Sequence, residues 1–499
     1  MAWPEPALWY SVFGGQNTEH TDQLRQDSRL LEGVTVQDLL PDPPGRLVTR
    51  EGFSHVRASA ITGGLAIDGM AHMGDLADKL VLLSNGKFYQ DDASPPTEIA
   101  SGTNFTAGSL GRFDIFNNLL IAVSQSRDKP QTFDSSVSRA DLGGTPPYGI
   151  DVKSFGRRLF MFSPLYSSTT YRHRAMFTSS NDSQSAWTTP DSVSFLNFGR
   201  EGAKVNVLGG EVYADFLMTF TENSIFPVYT TPNATLPFAF QKDILAEDGG
   251  GPPVIHAVVK ANDRLSWISK DFDIKELMGF TVRSVSVPLA VKTFLVNLND
   301  SRRVNTVGFW EPKYRLVCWA VSDGADTTNQ DVLAYHPGSG QFFFFNLTIG
   351  AACLRTVSGE LRAIIGHTNG LFSNLFDGST TGVGQTAATA IDALWTSPRL
   401  HHGQPEAVKK MPYLVFEFDP IGSETVTIRR RYDDDTSYGS FPEGSTFALS
   451  GTDHFRVYVT PDQPYRYIQL QVEDNTSGER FRLLRIGVPR PRTVQIGRS

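Results

Sequence analysis

Apolar and polar positions along this chain fall into short runs, and the runs come in pairs separated by turn residues. The stretch DKLVLLSNGKFYQDD (Asp78 to Asp92) sets the pattern: an apolar run, the pair Asn85-Gly86, and a second run. An Asn-Gly pair flanked this way is the strongest short-range hairpin signal. The layout returns in DIFNNLLIAVSQS, SFGRRLFMFSP, GGEVYADFLMTFTENSIFPVY, VKANDRLSWISKD, GFWEPKYRLVCWAVSDG and RTVSGELRAIIGHTNGLFSNLFDG. The anchor residues of these runs are Leu80, Leu119, Leu159, Phe216, Leu265, Leu316 and Leu361, at steps of 39, 40, 57, 49, 51 and 45 residues. A four-stranded propeller blade takes about 40 to 50 residues, so each anchor is expected on one strand of one blade. A lone four-stranded sheet cannot cover both its faces, whereas radial stacking buries each face against the next and leaves only short edges.

The pattern therefore predicts an all-β chain whose residues 50–385 form a β-propeller of about seven blades, within a range of six to eight. A small-residue stretch, GSTTGVGQTAATAI (Gly378 to Ile391), reads as a linker. Beyond it, MPYLVFEFDP, SETVTIRRRYDDD, HFRVYVTP, YRYIQLQVED and RFRLLRIGVP are five strand candidates, with Val426, Ile428 and Tyr432 on one face. They predict a C-terminal β-sandwich over 386–499. Residues 1–49 read as an N-terminal arm leading into the first blade. Helical periodicity is nearly absent. The best candidate, HTDQLRQDSRLLEG (His20 to Gly33), reads equally as an extended arm.

Composition narrows the function. The chain has 499 residues, enough for a large core, with 40% hydrophobic and only 20% charged residues and abundant Phe, Gly and Pro, a balance that favours short strands and tight turns. A net charge of −8 argues against a nucleic-acid coating role, which draws its affinity from Lys and Arg. Cys318 and Cys353 are too few for a disulfide framework or a structural zinc site and read as buried small hydrophobes. The first residues, MAWPEPALWYSVFGG, lack the basic and apolar regions of a signal peptide, and no run approaches the roughly 20 apolar residues of a membrane span.

Candidate chemistry is sparse. In SSNDSQSAWT, Ser180, Asp182 and Trp187 follow the S-x-D-x-x-x-x-W order of the Asp-box turn of sialidase propellers, with Gln184 where the box carries Gly. A short Asp side chain can fold the backbone around itself while the Trp packs beneath. A sialidase also needs an Arg cluster for the substrate carboxylate, a Tyr with a nearby Glu, and an acidic donor, and the chain lacks the segment that opens that family. The turn is therefore expected to be structural. Adjacent His401 and His402 would point to opposite faces of a strand, YDDDTSY (Tyr432 to Tyr438) lacks calcium-loop spacing, and Pro252 and Pro253 remove the donors that a phosphate cradle in EDGGGPPVIHAVVK would need. The six Arg of RFRLLRIGVPRPRTVQIGRS suit either a solvated tail or an acidic partner. No catalytic centre, metal or cofactor is expected.

The stretch from Phe13 to Phe53 resembles the segment that leads into the first blade of tail nozzle proteins of short-tailed bacteriophages, also called tail tubular or head-to-tail stabilisation proteins. There a Gly-Gly segment passes through a polar arm to R-x-G-F, matched here by Arg50, Gly52 and Phe53, with Glu51 where the family often has Pro. The hairpin LVLLSNGKFYQDD, the segment PPYGIDVKSFGRRLFMFSP, the turn in MFTSSNDSQSAWTTPDSVSF and the run from Leu394 to Phe418 are similar to recurring features of the same family. The resemblance implies a structural virion protein with no enzymatic residues, assembled in the host cytoplasm. Six copies would form a closed ring below the portal and adaptor, with tail fibres as further partners. Genomic DNA would pass through the channel without specific binding. Negative net charge suits such a lumen, and apolar surface suits lateral contacts in a closing ring. The alternatives are a glycan-binding or glycan-cleaving propeller for host attachment and a tail hub or fibre-docking ring.

Overall fold

A strand flanked on both faces by other sheets is apolar along most of its length, and the anchor residues mark strands of this kind, although Leu361 itself sits at the exposed start of its strand. In the computed structural model, Leu80, Leu119, Leu159, Phe216, Leu265, Leu316 and Leu361 each fall on the second strand of a different blade of four antiparallel strands, the blade of Leu316 being part of a larger sheet. Leu80–Ser84 and Leu316–Val321 are buried throughout. Alternate side chains of one such strand serve two neighbours: Leu80 and Leu82 pack toward the last blade, Val81 and Leu83 toward the second. The next second strand repeats the division, with Leu120 and Ala122 facing back and Ile121 and Val123 facing forward.

The structure describes residues 6, 8–10, 12–16, 30–33, 35–40, 46–187, 194–199, 205–241, 244, 250–285, 287–402, 406–420, 424–433, 435–449, 455–476, 480–489 and 492–493. Blades 1 to 6 occupy 67–98, 111–141, 151–197, 207–240, 259–284 and 307–346. Blade 7 takes three strands from 351–375 and its outer strand, Phe53–His55, from the other end of the propeller. That strand pairs antiparallel, Phe53 opposite Leu375 and His55 opposite Ser373, and so closes the ring. The first strands of blades 1 to 4 contact one another in order around the axis, as do those of blades 5 to 7, and blade 7 meets blade 1. A 3-10 turn, Ile255–Ala257, touches the first strands of blades 4 and 6.

The five C-terminal candidates are all strands, at Leu414–Pro420, Glu424–Tyr432, Phe455–Val459, Ile468–Asp474 and Phe481–Val488, and Val426, Ile428 and Tyr432 are buried together. They form two sheets. Residues 1–49 differ from the expected arm, because the described parts of this segment supply strands to both. Leu8–Tyr10, Leu39–Leu40 and Leu47–Thr49 join the sheet of Phe481–Val488. Thr35–Gln37 pairs antiparallel with Ala393–Thr396 and, through Gln37 and Phe344, parallel with the last strand of blade 6. One ten-stranded sheet thus runs from blade 6 into the sandwich. The cause is local: Val36, Leu39, Leu40, Leu47 and Val48 are fully apolar, and all are buried in the largest hydrophobic core.

Of the helix candidate His20 to Gly33, Leu30–Gly33 is a strand parallel to Val12–Gln16, and 17–29 lie outside the described residues. The expected linker is instead a hairpin, Thr381–Val383 with Thr386–Ala390, lying against the closing strand. A short helix at Leu289–Val296 packs Val291 and Leu295 between blades 5 and 6, and its sequence carries no polar face to announce it. No helix among the described residues is long and apolar enough to cross a membrane.

Candidate functional site

The first strand of every blade lines the axis, where side chains from neighbouring blades converge. Small residues on these strands, including Gly69, Gly111, Gly308 and Ala351, leave a cavity of about 510 Å³ between blades 1, 2, 3, 6 and 7. Charged residues project at its wall. Arg112 Nε lies 2.9 Å from Asp151 Oδ1, and Lys153 Nζ lies 2.8 Å from Glu211 Oε2, with Arg112 3.8 Å from the same carboxylate. Asp151 has no exposed side-chain surface, and its second oxygen accepts a hydrogen bond from Gly210 N at 2.9 Å. Gly209 must be glycine here, since its φ is 152° and a Cβ would stand 2.3 Å from Asp151 Oδ2.

Burial opposes the charge on Glu211, yet Lys153 and Arg112 hold its carboxyl below the usual range. Asp114, whose Oδ2 accepts from Ser154 N, is pushed up by burial despite Lys153. Asp68 is raised to about 6 by burial, against a hydrogen bond from Asn85 N. His256, delivered by the 3-10 turn, sets Nε2 3.3 Å from the carbonyl of Gly111. Burial and the Arg112 charge lower it to about 3, so the ring is neutral at pH 7. Cys353 lines the same cavity and is raised to about 12 by burial, which makes its thiol unreactive.

The residues singled out by sequence sit elsewhere. Asn85 and Gly86, with φ of 48° and 79°, make the tight turn between the second and third strands of blade 1, and a Cβ on Gly86 would stand 2.1 Å from Phe105 O. Ser180 and Asp182 lie on an exposed turn of blade 3, where Asp182, with φ of 51°, receives the Arg157 guanidinium and donates its own N–H to Arg157 O at 2.8 Å. Trp187 is buried between blades 2 and 3 against Ile121, Val152 and Met161, its Nε1 donating to Gln184 O at 2.8 Å. These three residues hold a turn and border no cavity described above.

Arg50, Gly52 and Phe53 occupy the seam where the propeller closes and the sandwich begins. Arg50 is fully buried, with Nε 2.5 Å from Asp38 Oδ1 and Nη2 2.8 Å from Gly382 O. Asp38 also accepts from Asn346 N at 3.1 Å, so one ion pair ties the N-terminal segment, blade 6 and the 381–390 hairpin together. Glu51 takes Tyr314 OH at 3.0 Å, Gly378 N at 2.9 Å and Lys313 Nζ. Gly52 donates to Ser379 O at 2.7 Å, and a Cβ there would stand 1.6 Å from Thr381 O. Phe53 is buried against His367.

The other candidates are structural where they are described. Cys318 is in the core, and His402, half-buried beside Tyr465, is lowered to about 3 by burial and by the nearby Lys409 and His401 charges. Asp433 binds the backbone of Arg466 and Tyr467, while Asp434 lies outside the described residues, as does most of the tail after Pro489. Among the described residues, no group of three or more His, Cys, Asp or Glu is placed to hold a metal ion. Sequence reading missed the axial cluster. Its one signal is a polar residue inside the strand that precedes each anchor run: Asp68, Arg112, Lys153 and Glu211.

No family model and no curated protein matches the chain. Among solved structures it is similar to the WD40 β-propeller domain of Doa1, at 11% identity over 65% of this chain and 97% of that one, with a TM-score of 0.40. Virginiamycin B lyase from Staphylococcus aureus gives 9% identity, 65% and 99% coverage and a TM-score of 0.41. BamB from Moraxella catarrhalis gives 12%, 66% and 97%, with 0.37. These likenesses concern the propeller fold alone.

Proposed function

We propose that this chain is a non-enzymatic structural subunit of a phage tail, repeated in a closed homo-oligomeric ring, a hexamer by its resemblance, that forms the nozzle below the portal and adaptor and gates genome retention and ejection. The observation that carries the reading is the joining of propeller to sandwich. A subunit in a channel wall touches neighbours through several surfaces at once, and a hinge between its parts would let those surfaces lose register. Here a single sheet spans both parts, and the R-x-G-F residues of the family resemblance form the buried seam beside it. Exposed apolar side chains such as Leu236, Phe280, Leu289 and Val296 supply surface for lateral contacts. The net charge of −8 disfavours gripping of DNA phosphates.

The test is mass determination and negative-stain imaging of the purified chain, alone and mixed with portal and adaptor. Rings of fixed stoichiometry are expected. A strictly monomeric protein under all these conditions overturns the reading. A glycan array and a polysaccharide turnover assay address the attachment alternative, which would gain from turnover lost on changing one carboxylate.

A further inference from the structure

A second cavity, of about 210 Å³, opens at the rim between blades 5 and 6, where the turn at Asn262 and Asp263 meets two turns of blade 6. Its wall is rich in hydrogen-bond donors. Trp310 borders it from the core between the two blades, and the indole N–H is neither enclosed nor given an acceptor among the described residues. Ser339 N donates to His336 Nδ1 at 3.1 Å. Burial and the nearby Arg315 charge keep that ring neutral, so its proton sits on Nε2, which likewise has no acceptor among the described residues and is not enclosed.

Arg315 is the sharpest signal. Its φ is 56°, a conformation that Gly or Asn adopts with less strain. Two other arginines stand at left-handed turns, and both hold the protein together: Arg127 binds Ser163 and Arg157 binds Asp182. Arg315 is exposed and makes no hydrogen bond or ion pair with any described residue. The neighbouring charges do not neutralise it. Arg264 gives Nε to Asp263 Oδ1 at 3.2 Å and Nη1 to Glu276 Oε1 at 3.3 Å, while Arg283 takes Glu276 Oε2 at 2.8 Å. Three guanidinium groups thus meet two carboxylates, an excess of one positive charge. The Asp263 side chain is still 67% exposed, which leaves its second oxygen to accept from a hydroxyl.

We infer that this rim cavity binds a hexuronate, a pyranose carrying one carboxylate, with the carboxylate on Arg315 and His336 Nε2, an apolar ring face against Trp310, and a hydroxyl donating to Asp263. Simpler guests fit less well. An inorganic anion leaves Trp310 uncovered, and a neutral sugar leaves Arg315 unmatched. This role is independent of ring assembly and stands or falls separately from it.

Saturation-transfer NMR on the full chain with D-glucuronate, at about 0.15 M salt to screen loose surface binding, tests the assignment. Glucuronate is expected to bind about tenfold or more tighter than D-glucose or acetate, equivalent to about 1.4 kcal/mol. Arg315→Asn keeps the turn, because Asn accepts its φ, and should weaken glucuronate by a similar factor. Asn262→Asp, on the exposed facing turn, brings a second carboxylate to the site and should weaken it too. No binding of glucuronate, equal binding of glucose or acetate, or an affinity unchanged in both variants would each overturn the proposal. The comparison of glucuronate, glucose and acetate uses the unaltered chain, so it decides the matter even where a variant fails to fold.

Discussion

Removing the Arg50 guanidinium is the sharpest perturbation of the seam. Arg50 and Asp38 have no exposed side-chain surface and lie 2.5 Å apart. Arg50→Met would leave the Asp38 carboxylate buried with neutral donors alone, Asn346 N at 3.1 Å and the Gln37 side chain. Breaking one side of a buried pair costs about 3 to 5 kcal/mol, because the surviving charge is uncompensated. Asp38→Asn should cost a similar amount by stranding the guanidinium, and Asn tolerates the φ of 53° at this position. The double variant removes both charges and should cost about as much as either single change, giving a coupling energy of about 3 kcal/mol or more. Amide exchange measured by mass spectrometry over 50–56 and 372–377 reads the opening of the closing strand, and a loss of about 3 kcal/mol there appears as exchange roughly a hundredfold faster. Additive costs in the double variant, or an Arg50→Met chain with unchanged exchange at the seam, would refute the claim that this pair holds the closure.

Gly52→Ala should lower the melting temperature sharply or abolish soluble expression, because its methyl would meet Thr381 O at 1.6 Å, whereas Gly143→Ala, meeting Ser185 Cβ at 3.6 Å, should change little. Trp187→Ala should cost about 3 to 5 kcal/mol in chemical unfolding as a large core truncation. Asp182→Asn, on an exposed ion pair, should leave unfolding unchanged, and a loss as large as that of Trp187→Ala would contradict the scaffold reading of the turn. Glu311 is raised from 4.5 to about 7 by burial, against hydrogen bonds from Tyr314 N and Lys313 N. Its folded form holds the proton more tightly than the unfolded chain, so its contribution is complete below about pH 4.5 and is lost as pH rises through about 7. The stability of Glu311→Gln relative to the parent should therefore rise by about 2 to 3 kcal/mol between pH 4.5 and 8, and a flat difference would refute the assignment.

The propeller was legible because its second strands are largely buried on both faces, which writes a mainly apolar run once per blade, complete at Leu80 and Leu316 and confined to Ala363–Ile365 in the strand of Leu361. The sandwich strands were legible through alternation, as at Val426 and Ile428. The N-terminal strands were not, because stretches such as Thr35–Gln37 are too short to carry a period, and their partners lie hundreds of residues away. The axial cluster escaped for a related reason: Asp68, Arg112, Lys153 and Glu211 are isolated polar residues in separate repeats, and only the radial arrangement brings them to one place. Arg50, Gly52 and Phe53 stood out through resemblance to a family motif, while their part in the seam depends on Asp38, Thr381 and Gly382, which no local pattern connects to them.

The closing strand Phe53–His55 also fixes an order of events during translation. It leaves the ribosome early, whereas its partner Phe372–Leu375 emerges only after six blades have been made. Until then the nascent chain carries an unpaired edge at Phe53, destined for burial. Leu8–Tyr10 waits longer still, since it pairs with Phe481–Val488 near the other end of the chain. A truncated product would therefore lack completed versions of both units, so that cellular quality control would meet aborted chains as sticky open arcs and not as finished rings of blades.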